Sequence, residues 1–534
     1  MNPGSPSPIQ AYLILHSLIT STTMEATQGA SSPFFISADG NNVHLLTVPI
    51  LLLLPLLFLF LKHRSSKHHN LPPGPFPWPI VGNIASVGYK QHEDLAKLAQ
   101  AHGPLMSLRM GSQLVVVGSN KAAAIEILKT HDRVLSGRLP PHVSPAKSPE
   151  RNHLSIGWTF ECTEQWKFMR TLCRTELFGG KILDSRMDIR AQKVQEMVDF
   201  LATKEGQLVA IREVIFSTAF NVLGNVLMSK DFMALEEGEG QGMCDIVRNL
   251  MELWTKPNIS DLYPFLGELD IQGWRREAYR YSERLYEVWR DTMKEKRERM
   301  RRGEESKTRD FLDVLLHNNF ADDQVDVLFL ELFLAGTDTS TSTIEWTIAE
   351  LLKNQNVMKK ICEELEKEAP EGYLKEIDIT RFPYLQACVK ETLRLHPAAP
   401  LIPRRSTEKC QVMNYNIPKD TQVLVNIWSI GRDPRIWEDP ASFKPERLLN
   451  SELDFKGHDF EFLPFGGGRK ICPGYPMAIR QVHLTLAALL HHFDWSLPNN
   501  MTLDQLDMNE KCGITLQKED PLVLIPTRKK RSQF

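Results

Sequence analysis

The sequence predicts a mainly α fold with small β-sheets, carried behind a single N-terminal transmembrane helix. Three observations point there. Residues 45–61 form an uncharged apolar run. From about residue 160 onward, apolar residues recur mostly at helical spacing. Only short, β-branched alternating segments interrupt that pattern, with no βαβ alternation and no internal repeat.

The run LLTVPILLLLPLLFLFL, Leu45–Leu61, reaches about 25 Å as a helix, close to the ~30 Å of a bilayer core. Val43 and His44 extend it. A buried core helix normally keeps a polar face, and this run has none. Pro49 and Pro55 are tolerable in a membrane helix. Lys62, Arg64 and Lys67 follow at once, whereas residues 1–44 hold no Lys or Arg. The positive-inside rule then puts residues 1–42 in the lumen, anchors 43–61 and leaves the body in the cytosol. The start lacks the arginines of a transit peptide and the basic head of a secretory signal. Met24 offers a second, equally good initiation point. Residues 62–83 read as a basic, then proline-rich hinge, in which LPPGPFPWPIVGN is extended because proline fixes φ and removes amide donors.

Composition narrows the function classes. A net charge of −3 over 534 residues excludes a global basic surface for nucleic acid. Eight cysteines stand scattered without a Cys-x-x-Cys pair, against a structural zinc site or a disulfide framework. They suit a reduced, cytosol-facing protein.

In the body, LMSLRMGSQLVVVGS (105–119) reads as a β-hairpin. EEGEGQG (236–242) reads as a flexible acidic loop, and 274–305 as a long charged helix. A further helix runs from Val325 to Leu352, and strands are expected at 411–418, 421–428 and 522–526. RKKR at 528–531 reads as a solvated tail.

The stretch FGGGRKICPG, residues 465–474, surrounds one thiol with bare backbone. A thiolate that binds iron needs backbone close to the sulfur and amide donors aimed at it. Glycine lets the chain approach a flat ligand where a Cβ would clash. The helix MAIRQVHLTLAALLHHF follows and brings its positive end near the sulfur. The full Phe-Gly-x-Gly-Arg-x-x-Cys-Pro-Gly pattern resembles the haem-binding loop of the cytochrome P450 family. The resemblance implies haem b, iron protoporphyrin IX, with Cys472 as its axial thiolate, Phe465 shielding the sulfur and Arg469 pairing with a haem carboxylate.

Five more segments match the family. AGTDTS (335–340) resembles the part of its central helix that crosses the haem: Ala335 and Gly336 leave room for dioxygen, and Asp338 and Thr339 deliver protons. Gly, Thr and Asp are poor helix residues, so local helix strain is expected there. ETLRLHP (391–397) and FKPERL (443–448) supply Glu391, Arg394 and Arg447, a structural network behind the cysteine loop. In ECTEQWKFMR (161–170), Trp166 and Arg170 are expected to reach a haem propionate. In HPAAPLIPRRS (396–406), which runs one residue short, Arg404 and Arg405 compete for the same task. Residues 84–534 thus form a haem-thiolate catalytic domain.

The pocket candidates are Phe333, Leu334, Leu401, Cys512, Gly513 and Ile514. Cys512 departs from the aromatic residue usual at its position and is expected to enlarge the cavity. Lys470 stands where arginine is common and keeps the charge.

The anchor, 155–178 and 511–526 are similar to plant microsomal members, particularly the branch that oxidises benzylisoquinoline and related alkaloids. That resemblance implies an endoplasmic-reticulum monooxygenase acting on a hydrophobic small molecule. The chain has no flavin or nicotinamide fingerprint, so electrons from NADPH come through a separate cytochrome P450 reductase, with docking expected near Lys167, Arg174 and Lys470. Oxidative phenol coupling or ring closure by the same haem, and a non-enzymatic haem sensor, are the alternative readings.

Overall fold

The computed structural model describes residues 70–235, 241–304, 309–369, 374–498 and 501–529. The expected lumenal extension at 1–42, the expected anchor at 43–61, residues 62–69 of the expected hinge and residues 236–240 of the expected acidic loop lie outside them. Among the described residues, one helix, Ile211–Met228, is long and apolar enough to cross a bilayer, and it is packed inside the protein.

The hinge beyond residue 70 runs extended along the first strand. Pro73 O accepts the Ser107 amide at 2.8 Å, and Ser107 Oγ donates to Pro72 O at 2.7 Å. That strand, β1 (Leu105–Met110), forms the expected hairpin with β2 (Gln113–Gly118). The sheet is completed from far along the chain by β3 (Leu401–Arg405) and β4 (Gln422–Asn426), in the order β1-β2-β4-β3. β2 and β4 run parallel, and β3 and β4 antiparallel with Arg404 opposite Val423. The segments at 411–418 and 522–526 form strands Cys410–Val412, Tyr415–Ile417 and Val523–Arg528.

Seven helices build or brace the site: α1 (Gln91–His102), α2 (Glu164–Glu176), α3 (Ile211–Met228), α4 (Trp274–Arg301), α5 (Asp322–Lys353), α6 (Pro383–Leu395) and α7 (Tyr475–His492). α5 is the axle, and almost every side chain along it is buried. On one flank it packs against α3 and α4, where Phe333 stacks between Phe220 (4.4 Å between centroids) and Trp289 (5.7 Å). On the other it meets the apolar faces of α6 and α7. A helix apolar on all sides must be covered on all sides, so α5 runs through the centre.

The expected strain at 335–340 is absent, and α5 runs through without a break. Its hydroxyls bond back one turn: Thr337 to Phe333 O (2.7 Å), Thr339 to Ala335 O (2.6 Å), Thr341 to Thr337 O (2.9 Å) and Thr343 to Thr339 O (2.9 Å). Buried polar groups satisfied in this way let weak helix formers stay helical.

Candidate functional site

Phe465–Gly474 turns tightly before α7. Gly466 and Gly468 have φ of +73° and +67°, and a Cβ on Gly468 would stand 2.4 Å from Leu128 O. Backbone conformation and packing against 128–132 therefore demand this glycine, rather than the approach of a flat ligand alone. The Cys472 amide donates to Phe465 O at 2.9 Å, closing the loop and pointing the thiol into a large cavity. Burial pushes that thiol above its ordinary range, while the Gly474 and Tyr475 amides and the Arg170 and Arg138 charges favour the thiolate. Phe465 lines the same cavity, its ring 5.6 Å from Phe455 and 5.9 Å from Tyr475.

The cavity holds about 1330 Å³, above the ~300–1,000 Å³ of a usual ligand pocket, which leaves room for a cofactor and a substrate together. Leu334, Ala335, Gly336 and Thr339 of α5 form a wall; Leu401 of β3 and Cys512, Gly513 and Ile514 of a C-terminal turn form others. Phe333 is not a pocket residue, since one step around the helix turns it into the aromatic stack with Phe220 and Trp289. Asp338 also turns away from the cavity. Its carboxylate accepts from Arg212 Nη2 at 3.0 Å and from Gln517 Nε2 at 2.8 Å, and Arg212 holds Glu345 in turn at 2.7 Å. Thr339 and Asp338 thus occupy different faces of α5.

Buried cations gather at one end of the cavity, and they differ in part from those expected. Arg469 is turned outward, bonding Asp132 Oδ2 at 2.9 Å. Lys470 points inward instead. It donates to Thr159 Oγ1 at 2.6 Å, and burial, with Arg138 adding, pulls its ammonium down to about 7. Lys470 is therefore no part of a surface for docking a reductase. Trp166 is buried, but its indole N–H goes to Ile156 O at 2.9 Å. Arg170, one helical turn on, lines the cavity and donates to Ile471 O. Of the competing pair, Arg404 is buried and donates to Gly467 O at 3.0 Å, and its Nε has no hydrogen-bond partner among the described residues. Arg405 faces the other way and pairs with Asp420.

Two further positions at the site, inside the segments 138–160 and 328–337 expected to supply cavity contacts, were not singled out by the sequence. Arg138 lines the cavity and donates to Pro403 O (3.2 Å), Gly157 O (3.2 Å) and Lys470 O (3.4 Å). No local pattern marked it. Glu331 is a buried carboxylate that accepts from Ser155 Oγ and from the Ile156 and Gly157 amides, each of these two at 2.9 Å. Burial pushes its carboxyl up, and these donors oppose the shift. A lone acid inside the apolar run 327–335 was the available signal.

Behind the loop, Glu391 accepts from Arg394 Nη2 at 2.7 Å and Nε at 2.8 Å, and from Arg447 Nε at 3.1 Å. Arg394 continues to Gly431, Pro440 and Ser442 carbonyls, tying α6 to the segment ahead of the cysteine loop.

The donor set fits one kind of group. A cysteine sulfur faces the cavity; Arg138, Arg170, Arg404 and Lys470 crowd one rim, with one buried guanidinium N–H unused. Burying that many cations is costly unless anions arrive. A flat metal macrocycle carrying two carboxylates, as haem does, supplies both a partner for the sulfur and the missing anions.

Comparison with known proteins agrees. The cytochrome P450 family pattern matches residues 72–525. The chain is 50% identical over 474 residues to a probable (S)-N-methylcoclaurine 3'-hydroxylase isozyme 2 of Coptis japonica, covering 88% of this chain and 96% of that one. It is 47% identical to (S)-N-methylcoclaurine 3'-hydroxylase isozyme 1 of Papaver somniferum, over 88% of this chain and 97% of that one. It is 43% identical to corytuberine synthase of Coptis japonica, over 90% and 99%. The chain belongs to the cytochrome P450 family and is a P450 monooxygenase.

Proposed function

We propose that this cytochrome P450 hydroxylates a hydrophobic plant alkaloid, using dioxygen and electrons delivered from NADPH by a separate reductase. The observation that carries the reading is one continuous, largely apolar cavity running from the Cys472 thiol to Thr339. The named hydroxylase relatives supply the substrate class.

Bound in the cavity, haem supplies the oxidising chemistry that inserts an oxygen atom. The remaining work falls to this chain. Cys472 would hold the iron, and the Gly474 and Tyr475 amides temper the charge on its sulfur. Arg138, Arg170, Arg404 and Lys470 would hold the haem carboxylates. Ala335 and Gly336 present little side chain at the α5 wall and leave space there. Thr339 Oγ1 holds a proton beside that space, now given to Ala335 O. Asp338 stands on the far face, and a part for it in proton delivery requires its carboxylate to leave Arg212 and Gln517.

Reductase docking belongs on the face that carries exposed Lys167 and Arg174. Tyr263 OH bonds Ile80 O at 3.1 Å and joins the hinge, with its exposed Phe76 and Trp78, to the segment that carries exposed Phe265 and Leu269. That apolar face suits a body resting on the endoplasmic-reticulum membrane beside its anchor, in the cytosol.

Phenol coupling or ring closure remains a second reading, because one relative is named a synthase. Incubation with reductase, NADPH and a panel of benzylisoquinoline alkaloids decides. A product heavier by one oxygen supports hydroxylation, and a product lighter by two hydrogens supports coupling. Absence of any NADPH-dependent product would overturn both and favour a haem sensor.

A further inference from the structure

Cys512, Gly513 and Ile514 reach the cavity from the tip of a very short hairpin. Its strands, Glu510–Lys511 and Gln517–Lys518, pair only as Lys511 with Gln517 and Glu510 with Lys518. So short a ladder does not hold itself in water, and contacts at its base must fix where the tip stands. The second strand is tied down at its start. Leu516 O accepts from Ser342 Oγ at 2.6 Å and from Trp346 Nε1 at 3.2 Å, both on α5, and the Leu516 amide donates to Ala398 O at 2.8 Å. The first strand is tied through one side chain. The buried Glu510 carboxylate accepts from His92 Nε2 of α1 at 2.8 Å, His396 Nδ1 at 2.7 Å, Trp428 Nε1 at 3.0 Å and Arg432 Nη2 at 3.4 Å. A carboxylate only accepts, so both imidazole nitrogens facing it carry hydrogen. The rings are fixed in turn. His396 Nε2 meets Glu350 of α5 at 2.8 Å, and its ring stacks on Trp346 with centroids 3.9 Å apart. His92 lies edge-on to Trp428 at 5.0 Å. Burial opposes charge on Glu510, but His396 and His92 outweigh it and hold the carboxyl well below its usual range. Glu510, His92 and His396 all stand behind the cavity wall rather than in it.

We propose that Glu510, with His92 and His396 around it, is a positioning residue for substrate selection: it sets how far Cys512, Gly513 and Ile514 stand into the cavity, and it acts through the backbone without touching the ligand. A tip held by this hub is ordered before a ligand arrives. A tip released from it must be ordered by each large ligand, at a cost in affinity. A ligand too small to reach the tip feels no such cost. Substrate selection in this sense rests on the oxidation proposed for the same cavity, but the clamp can be measured without dioxygen or reductase, so a missing product and a failed clamp are told apart.

The test is spectral titration of the full-length, haem-loaded protein with two ligands that each place an imidazole nitrogen on the haem iron. One is imidazole itself; the other is clotrimazole, whose three aryl rings fill far more of the cavity. Glu510→Gln removes the hub's charge. His92→Gln and Trp428→Phe each disturb one donor only, so the comparison can be made even where Glu510→Gln does not fold. The ratio of the clotrimazole Kd to the imidazole Kd should rise at least about fivefold in Glu510→Gln and about threefold in the two milder variants. Lost stability alone leaves this ratio where it is, because both affinities are read on the folded, haem-loaded fraction. An unchanged ratio in any of the three that folds, or equal weakening of both ligands, overturns the proposal.

Discussion

The Lys470 ammonium lies 2.6 Å from the Thr159 hydroxyl and 4.4 Å from the Trp166 ring centroid, buried against the cavity. In the proposed reading it is one of four cations that would hold the haem carboxylates. Lys470→Met keeps the length and removes the charge; haem retained through gel filtration should fall by about threefold to tenfold, as for loss of one buried charged partner among several. Lys470→Arg should restore retention.

Cys472→Ser replaces the sulfur with a hydroxyl. The reduced, carbon monoxide-treated protein should lose its thiolate-type absorption band, and turnover should disappear. An unaltered band would end the assignment of Cys472 as the iron ligand.

Glu391 is the shared ion-pair partner of two arginines, Arg394 and Arg447, and its side chain and that of Arg394 are fully buried. Glu391→Gln leaves that positive charge inside the protein. The expected loss is about 3–5 kcal/mol of stability, measured as a lower denaturant midpoint and a smaller folded fraction on expression. Activity per folded molecule should change far less.

Glu331 pins residues 155–157 to α5 across the cavity wall. Glu331→Ala orphans the Ile156 and Gly157 amides, costing about 2–3 kcal/mol. Substrate titration followed by the haem spectrum should show weaker binding, and Glu331→Gln should recover part of it.

His92 couples stability to alkaline pH. Its pKa rises on folding from 6.5 to about 9. The associated stabilisation is complete below pH 6.5 and is lost as pH climbs through 9. Its size is at most about 3 kcal/mol. Denaturation midpoints of the wild type should fall across that window, and those of His92→Gln should fall less.

The cysteine loop and the AGTDTS segment were legible as local strings with a distinctive spacing, whereas the Glu391, Arg394 and Arg447 network came from the family resemblance, because Glu391 and Arg394 alone read as a surface pair and Arg447 stands far along the chain. The β1–β2 hairpin and the long helices were legible from periodicity. What the sequence could not decide was the direction of adjacent side chains. Successive residues on a helix point about 100° apart, and on a strand to opposite faces. A motif therefore names a neighbourhood, and packing selects the member that faces the site. Lys470 rather than Arg469, Arg404 rather than Arg405 and Leu334 rather than Phe333 line it or its rim, and Thr339 and Asp338 divide between two faces of α5. The roles of Arg138 and Glu331 were not assigned for a related reason: their partners stand far along the chain, and only the folded protein brings Pro403, Lys470 and residues 155–157 to them.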